Sequence, residues 1–229
     1  MKNYFKNQLQ SNVSVMSYGG VRNESLQEEA YAVSPASAAV KRTFDVVCAS
    51  VSLVLLSPVM LIIYIMIKAE DKGHAIFRQE RIGHKGKPFV IYKFRSMVPD
   101  AEKDNKAVLA KEDDDRLTKV GRFLRRHHLD ELPQLWNVLK GEMSFVGPRP
   151  ERKCFIDKIM EHNPDYRYLY ALRPGLFSEA TLYNGYTDTM EKMLRRLDMD
   201  LEYLRNRTIF MDFKIIFLTA YSIISGKEF

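Results

Sequence analysis

LTKVGRFLRRHHLDELPQLWNVLKGEMSFVGPRPE, residues 117 to 151, is the stretch around which the rest of the chain is arranged. An adjacent carboxylate pair, Asp130 and Glu131, lies between the basic run Arg122, Arg125, Arg126, His127, His128 and a proline-flanked arginine, Arg149. Leu132, Leu135, Trp136 and Leu139 recur at offsets of three and four, which predicts a helix with one buried face. Pro133 belongs near the start of that helix, because farther in it would remove a hydrogen bond and clash with the preceding turn. The pair is therefore expected at a helix N-terminus, where free N–H groups and the helix dipole favour negative charge by roughly 0.3 to 1 kcal/mol. Both carboxylates are expected to be ionised at neutral pH. Neighbouring helical residues point in different directions, so one side chain can face a substrate while the other holds a cation. Taken alone, the pair is more plainly explained as a cap in a charged surface, and other motifs have to decide.

Downstream, Gly147-Pro148-Arg149-Pro150 is a turn in which prolines restrict the backbone on both sides of one arginine. A planar guanidinium so held suits a phosphate, although a structural turn with an incidental arginine is an equal reading of these four residues. Upstream, AIFRQERI and PFVIYKFRSM are β-like runs separated by GHKGK, which predicts a hairpin turning at Gly83 and Gly86. Strand period places Phe89, Ile91, Lys93 and Arg95 on one face, so Lys93 and Arg95 project together, either into a site or into solvent. Residues 99 to 116 are highly charged, with Asp113, Asp114 and Asp115 in a row, and read as a solvated helix followed by a loop without calcium-loop spacing.

Residues 46 to 67, VVCASVSLVLLSPVMLIIYIMI, form an uncharged apolar run of 22, enough for roughly 30 Å of helix. This predicts a membrane segment. Lys41 and Arg42 precede it and Lys68 and Lys72 follow it, so the positive-inside bias picks no side. In its middle, Pro58 deprives the Val54 carbonyl of its helical donor, and the neighbouring Ser57 hydroxyl can satisfy that carbonyl. Two arrangements follow: a helix-break-helix that dips in and returns to the same face, or a kinked span.

Residues 151 to 172 read as helical, 173 to 186 as a loop-rich insert, and Thr189 onward as two helices. The last of these carries Asp212 and Lys214 and makes a poor span, but Thr208, Asp212, Thr219 and Ser222 can form a polar stripe that leaves an aromatic and aliphatic face for an interface or for the protein core. Residues 1 to 40 are a polar extension in which Leu26, Ala30 and Val33 fit a short helix, and no apolar core of a secretory signal stands near Met1.

Length and charge bound the whole. At 229 residues the chain suits one domain with an additional segment, and its net charge of +6, with pI near 9.2, favours an anionic partner: membrane surface, nucleic acid or phosphorylated substrate. Cys48 and Cys154 show neither disulfide framework nor zinc spacing and are assigned no chemistry.

In order, the apolar segment with Ser57-Pro58, then Tyr92-Lys93-Phe94-Arg95-Ser96-Met97, Leu129-Asp130-Glu131-Leu132-Pro133-Gln134 and Val146-Gly147-Pro148-Arg149-Pro150 resemble the bacterial sugar transferase family, the monotopic polyprenyl-phosphate phosphoglycosyl transferases. The resemblance runs from about Lys41 to the C-terminus. It implies an α+β fold, mainly helical with a small β-hairpin, divided into a polar extension (1–40), a re-entrant membrane helix broken at Ser57-Pro58 (41–68) and a catalytic domain on the cytoplasmic face of the inner membrane (69–229), with interfacial amphipathic helices. It further implies transfer of a phospho-sugar from a UDP-sugar to polyprenyl (undecaprenyl) phosphate with release of UMP, as an initiating step of surface glycan assembly. Asp130 matches the family's nucleophile, which forms a covalent intermediate, and Glu131 the residue associated with catalytic Mg2+. Lys93 and Arg149, and more weakly Arg95, match basic positions that would hold the transferred phosphate. UDP-sugar, polyprenyl phosphate and membrane lipid are the expected partners and nucleic acid is not; the oligomeric state, a homodimer included, stays open. One departure is local: the family commonly carries Thr-Gly after Pro-Gly-Leu, whereas Arg173-Pro174-Gly175-Leu176 runs here into Phe177-Ser178-Glu179-Ala180, with Asn184-Gly185 kept. Two other classes stay open: a membrane-anchored module binding nucleic acid or anionic lipid through Arg122, Arg125 and Arg126, and an aspartyl-phosphate phosphohydrolase.

Overall fold

The structure, a computed structural model, describes residues 33–99, 101, 114–185 and 187–225. The expected N-terminal extension up to residue 32, and most of the charged segment expected as a solvated helix, lie outside the described residues. Residues 31–229 cluster as one compact unit.

The apolar run lies within one long helix, α1 (Pro35–Glu70), which starts before the expected boundary with Pro35 in its first turn. Helical structure continues through Ser57 and Pro58 rather than stopping there. The Ser57 Oγ donates to the Val54 carbonyl at 2.8 Å, satisfying the acceptor that proline strands. Among the described residues this is the one helix long and apolar enough to cross a membrane. It is not the core helix of a soluble domain: only Asp45, Ala49, Ile63 and Ile67 are buried, and Val54 is 73% exposed. So much contiguous uncovered apolar surface marks a membrane-associated element.

The domain holds α1 near both ends. At the first, Arg42 donates to the carbonyls of Val138 (2.6 Å) and Leu139 (2.7 Å), and Asp45 accepts from the Ser144 hydroxyl and the Phe145 N–H, both at 3.0 Å. At the second, Ile63 and Ile67 pack with Ala75, Phe94 and Leu124. There the Glu70 carboxylate accepts from the N–H groups of Lys119 (2.8 Å) and Val120 (3.2 Å), the first turn of α2 (Lys119–Arg126).

The hairpin forms as expected, with β1 (Ile76–Ile82) antiparallel to β2 (Pro88–Phe94) and Ile76 opposite Phe94. The helix after the dyad, α3 (Gln134–Lys140), is shorter than its apolar repeat suggests and ends at Gly141, whose φ of 86° supplies a left-handed cap. Its buried face also differs. Gln134, Leu135, Asn137 and Val138 point inward, whereas Trp136 is 50% exposed. Asn137 decides that rotation: its amide donates to the Val90 carbonyl (2.7 Å) and accepts from the Tyr92 N–H (3.2 Å), pinning α3 to β2.

The 173–186 segment is not the loop-rich insert expected from its composition. After β3 (Ser144–Val146) and α4 (Lys153–His162), a run of 3-10 turns (Pro164–Ala171) replaces the second half of the expected 151–172 helix; it starts at Pro164, with Asn163 capping the Asp165 N–H at 3.0 Å. Strand β4 (Gly175–Phe177) then pairs parallel with β3, Ser144 opposite Gly175 and Val146 opposite Phe177. A Cβ on Gly175 would stand 2.2 Å from the Gly147 nitrogen, so glycine is what lets the two chains meet. A short helix, α5 (Glu179–Asn184), follows, its Ala180 N–H capped by the Ser178 Oγ at 3.1 Å.

The two expected terminal helices are α6 (Met190–Asn206) and α7 (Ile209–Ser225). Of the expected polar stripe, Thr219 is buried and Asp212 is bound to Lys41 and the Tyr203 hydroxyl, whereas Thr208 precedes α7 and is exposed; Phe210 (79% exposed), Phe213 and Phe217 stay uncovered. The main core gathers Ile91, Val138, Met143, Val146, Ile156, Ile159, Leu197 and Leu204 from β2, α3, β3, α4 and α6.

Candidate active site

Between α2 and α3 the chain makes a 3-10 turn, Leu129–Glu131, preceded by His128 in a left-handed conformation (φ 53°). The dyad therefore stands one turn before α3 rather than in its first turn. Both carboxylates are buried, Asp130 at 6% and Glu131 at 9% exposure.

Two elements converge on Glu131. From β2, Lys93 Nζ donates to Oε1 at 2.6 Å; from the turn after β3, the Arg149 guanidinium donates to Oε1 at 2.5 Å and to Oε2 at 3.4 Å. The Asp130 carboxylate accepts no hydrogen bond from a described side chain, though Lys93 and Arg125 are close enough to act on it electrostatically. Burial would raise both carboxyls. Arg149 and Lys93 outweigh it at Glu131 and hold that group well below the usual range, whereas at Asp130 burial prevails over Lys93 and the pKa rises. The two carboxyls, expected to be ionised and free to take different roles, are thus shifted in opposite directions. Burial likewise lowers Lys93 against the pull of Glu131, and Glu131 raises Arg149. His128 is lowered by burial, which favours its neutral form.

Of the five chemical residues the sequence singled out, four meet here: Lys93, Asp130, Glu131 and Arg149. Arg95 does not join them. The strand ends at Phe94, and the Arg95 guanidinium turns to Asp71 just past α1, at 2.5 Å. Ser57 and Pro58 lie in α1 and act on its backbone.

Sequence reasoning passed over the residues that hold this arrangement. Glu151, directly after Pro150, is buried and accepts from Arg196 on α6 (2.6 Å) and Arg81 on β1 (3.1 Å), while Arg81 also donates to the Pro150 carbonyl (3.1 Å). The backbone on either side of Arg149 is tied down further by the Gly147 N–H to the Phe177 carbonyl (3.0 Å) and the Ile82 N–H to the Glu151 carbonyl (3.0 Å). The only signal for Glu151 was its place beside the prolines, and nothing local marked Arg81 or Arg196.

Beside Glu131 a cavity of about 260 Å³ opens between α1, the turn at Leu129, β4, α5 and α7. Leu56, Leu132, Leu135, Phe145, Leu176 and Leu182 make most of its wall, and Glu131, Arg149 and the two histidines stand at one end.

Residues 36–226 match the family described as bacterial sugar transferase. This chain belongs to that family. Among curated members, it is 46% identical over 190 residues to the UDP-glucose:undecaprenyl-phosphate glucose-1-phosphate transferase of Klebsiella pneumoniae, covering 79% of this chain and 39% of that protein. It is 38% identical over 193 residues to the UDP-N-acetylgalactosamine-undecaprenyl-phosphate N-acetylgalactosaminephosphotransferase of Aeromonas hydrophila, covering 84% and 45%. With the UDP-glucose:undecaprenyl-phosphate glucose-1-phosphate transferase of Caulobacter vibrioides it shares 41% identity over 188 residues, covering 81% and 70%. The chain thus spans less than half the length of the first two relatives, and the family match holds the whole site, from Lys93 to Arg149.

Proposed function

We propose that this sugar transferase moves a sugar phosphate from a UDP-sugar to undecaprenyl or a related polyprenyl phosphate in two displacements on Asp130, as an initiating step of surface glycan assembly. The asymmetry of the dyad carries the reading: two cations hold Glu131 ionised, while Asp130 is buried beside it and accepts from no described side chain. An Asp130 oxygen attacks the sugar-linked phosphorus, the bond from that phosphorus to the bridging oxygen breaks, and UMP leaves with that oxygen. A phosphate oxygen of the lipid then attacks the same phosphorus, forming the polyprenyl-diphosphate sugar and returning the Asp130 carboxylate. Splitting the reaction lets the water-soluble product depart before the lipid approaches. Lys93 and Arg149 are placed to exchange their contacts with Glu131 for contacts with the transferred phosphate.

The two adjacent carboxylates also fit a magnesium–diphosphate. Mg2+ takes one or two carboxylates and completes its octahedron with phosphate oxygens and water. Glu131 would hold it once a phosphate drew Lys93 and Arg149 away, and the ion when bound offsets charge on the diphosphate.

A re-entrant placement of α1 is supported by its two attachments. Asp45 and Ile67 are separated by roughly 33 Å of helix, close to the hydrocarbon thickness of about 30 Å. One compact domain nonetheless binds both neighbourhoods, which suits a helix that dips and returns better than one that crosses. With the nucleotide sugar supplied from the cytosol, the domain would lie on the cytoplasmic face of the inner membrane. The exposed Phe210, Phe213 and Phe217 of α7 would rest in the same interface.

The test combines UMP release with intact-mass analysis in detergent with magnesium and a panel of UDP-sugars. One donor should yield a phospho-sugar adduct on the wild type and none on Asp130→Asn, with lipid-dependent turnover lost in the same variant. Turnover retained by Asp130→Asn would sink the covalent route.

A further inference from the structure

We infer that the cavity beside Glu131 is the subsite for the phosphate-proximal isoprene units of the lipid acceptor, with Leu176 of β4 and Leu182 of α5 in its wall. The inference rests on the transferase reading and assigns that reaction's second substrate a place. Four observations carry it.

First, the cavity is continuous with the chemistry: Glu131 and Arg149 stand at its polar end. Second, it is continuous with the membrane element, because Ser52 and Leu56 of α1 form one wall and Thr219 and Ile223 of α7 another. Third, two of the hydroxyls that line it are already engaged. The Thr219 hydroxyl donates to the Ile215 carbonyl (2.8 Å), and Ser178 donates to Asp200 (3.1 Å) while capping Ala180. An occupant in contact with Leu132, Leu135, Leu176 and Leu182 is therefore selected mainly by carbon, which favours hydrocarbon over a uridine or a sugar there. Fourth, the size fits: a benzene-sized group fills a cavity of roughly 150 Å³, so about 260 Å³ takes a branched hydrocarbon of nearly twice that bulk, on the order of two isoprene units.

Such a chain would enter from the bilayer between α1 and α7 and leave its phosphate facing Arg149 and the phospho-sugar on Asp130. The donor has no reason to use this space. The two half-reactions should therefore respond differently when the cavity is filled.

Leu182→Trp, in the cavity wall contributed by α5, fills it; Leu182→Met keeps its bulk and serves as the conservative control. Adduct formation from UDP-sugar alone is measured by intact mass, and acceptor KM and kcat are measured with farnesyl phosphate and with undecaprenyl phosphate. The expected result for Leu182→Trp is an adduct yield within twofold of wild type and a KM for undecaprenyl phosphate raised at least tenfold, with Leu182→Met close to wild type. Leu182→Ala, should the tryptophan fail to fold, is expected to raise KM for farnesyl phosphate at least threefold without changing adduct yield. Acceptor KM unchanged in folded Leu182 variants, or adduct formation lost together with lipid turnover, would overturn the subsite. Absence of any adduct on the wild type would instead overturn the covalent reading beneath it.

Discussion

Replacing Glu151 by Gln removes one charge and almost no volume from a buried cluster. Its Oε1 accepts from Arg196 at 2.6 Å and its Oε2 from Arg81 at 3.1 Å, and the Glu151 and Arg196 side chains are 9% and 6% exposed. Burial alone would raise this carboxyl, but Arg196 and Arg81 outweigh it and lower the pKa, so the native pair is ionic. In Glu151→Gln, two guanidiniums lose their counter-charge, and the new amide group faces one of them donor to donor. Breaking a buried pair costs about 3 to 5 kcal/mol. The lower end applies, because Arg196 keeps Thr187 (2.9 Å) and Arg81 keeps Gln79 (2.6 Å) and the Pro150 carbonyl. For a chain of this size about 3 kcal/mol corresponds to a fall in Tm of roughly 6 to 12 °C. Thermal unfolding in one detergent, followed by near-ultraviolet circular dichroism, measures it. Adding Arg196→Met removes one stranded charge and should recover part of the loss. A single variant within about 2 °C of wild type, or a double variant no better than the single, would refute the idea that an uncompensated charge is the cause.

Asp200 gives a pH-dependent counterpart. Burial pushes its carboxyl up to about 7, with Arg196 opposing, so the folded chain binds a proton that the unfolded chain releases near 4. Its favourable contribution is complete below the unfolded pKa and is lost as pH rises towards 7. Asp200→Asn should therefore raise Tm by an increment that grows between pH 4 and 7 and levels off above, and an increment independent of pH would contradict the assignment. Asp45→Ala leaves the Ser144 hydroxyl and Phe145 N–H without their shared acceptor. At roughly 1 to 3 kcal/mol for a stranded buried donor, limited proteolysis should cleave near the α1 attachment at least several-fold faster, and an unchanged rate would show that Arg42 and Ala49 hold that end without it.

Elements whose logic is local are legible in the sequence. The hairpin and the apolar helix with its Ser57-Pro58 repair follow from short motifs with their own chemistry, whereas the gathering of Lys93, Asp130, Glu131 and Arg149 is legible only through the family resemblance that their motifs carry together. What is not legible depends on partners far away along the chain. The repeat through Leu132, Leu135, Trp136 and Leu139 marks a helix, but the rotation of α3 is set by Asn137 meeting Val90 and Tyr92, more than forty positions back. Arg95 shares a strand period with Lys93, yet the strand stops one residue earlier and Asp71 takes the guanidinium. β4 is three residues long and has no periodicity to read; two glycines that let backbones touch are its only trace.

One distant contact does leave a mark in the sequence. Arg81, Glu151 and Arg196 resemble ordinary surface charges, and no rule applied to one of them reveals the other two. Asp45 differs, because it abuts a 22-residue apolar run with no cation following it for more than twenty residues. A carboxylate there is costly unless a donor meets it within the fold. The donors, Ser144 and Phe145, are about a hundred residues away, so the start of α1 is bound by the domain there. Joined to the second attachment at Glu70 and Ile67, that contact makes the apolar run one wall of the cavity beside Glu131.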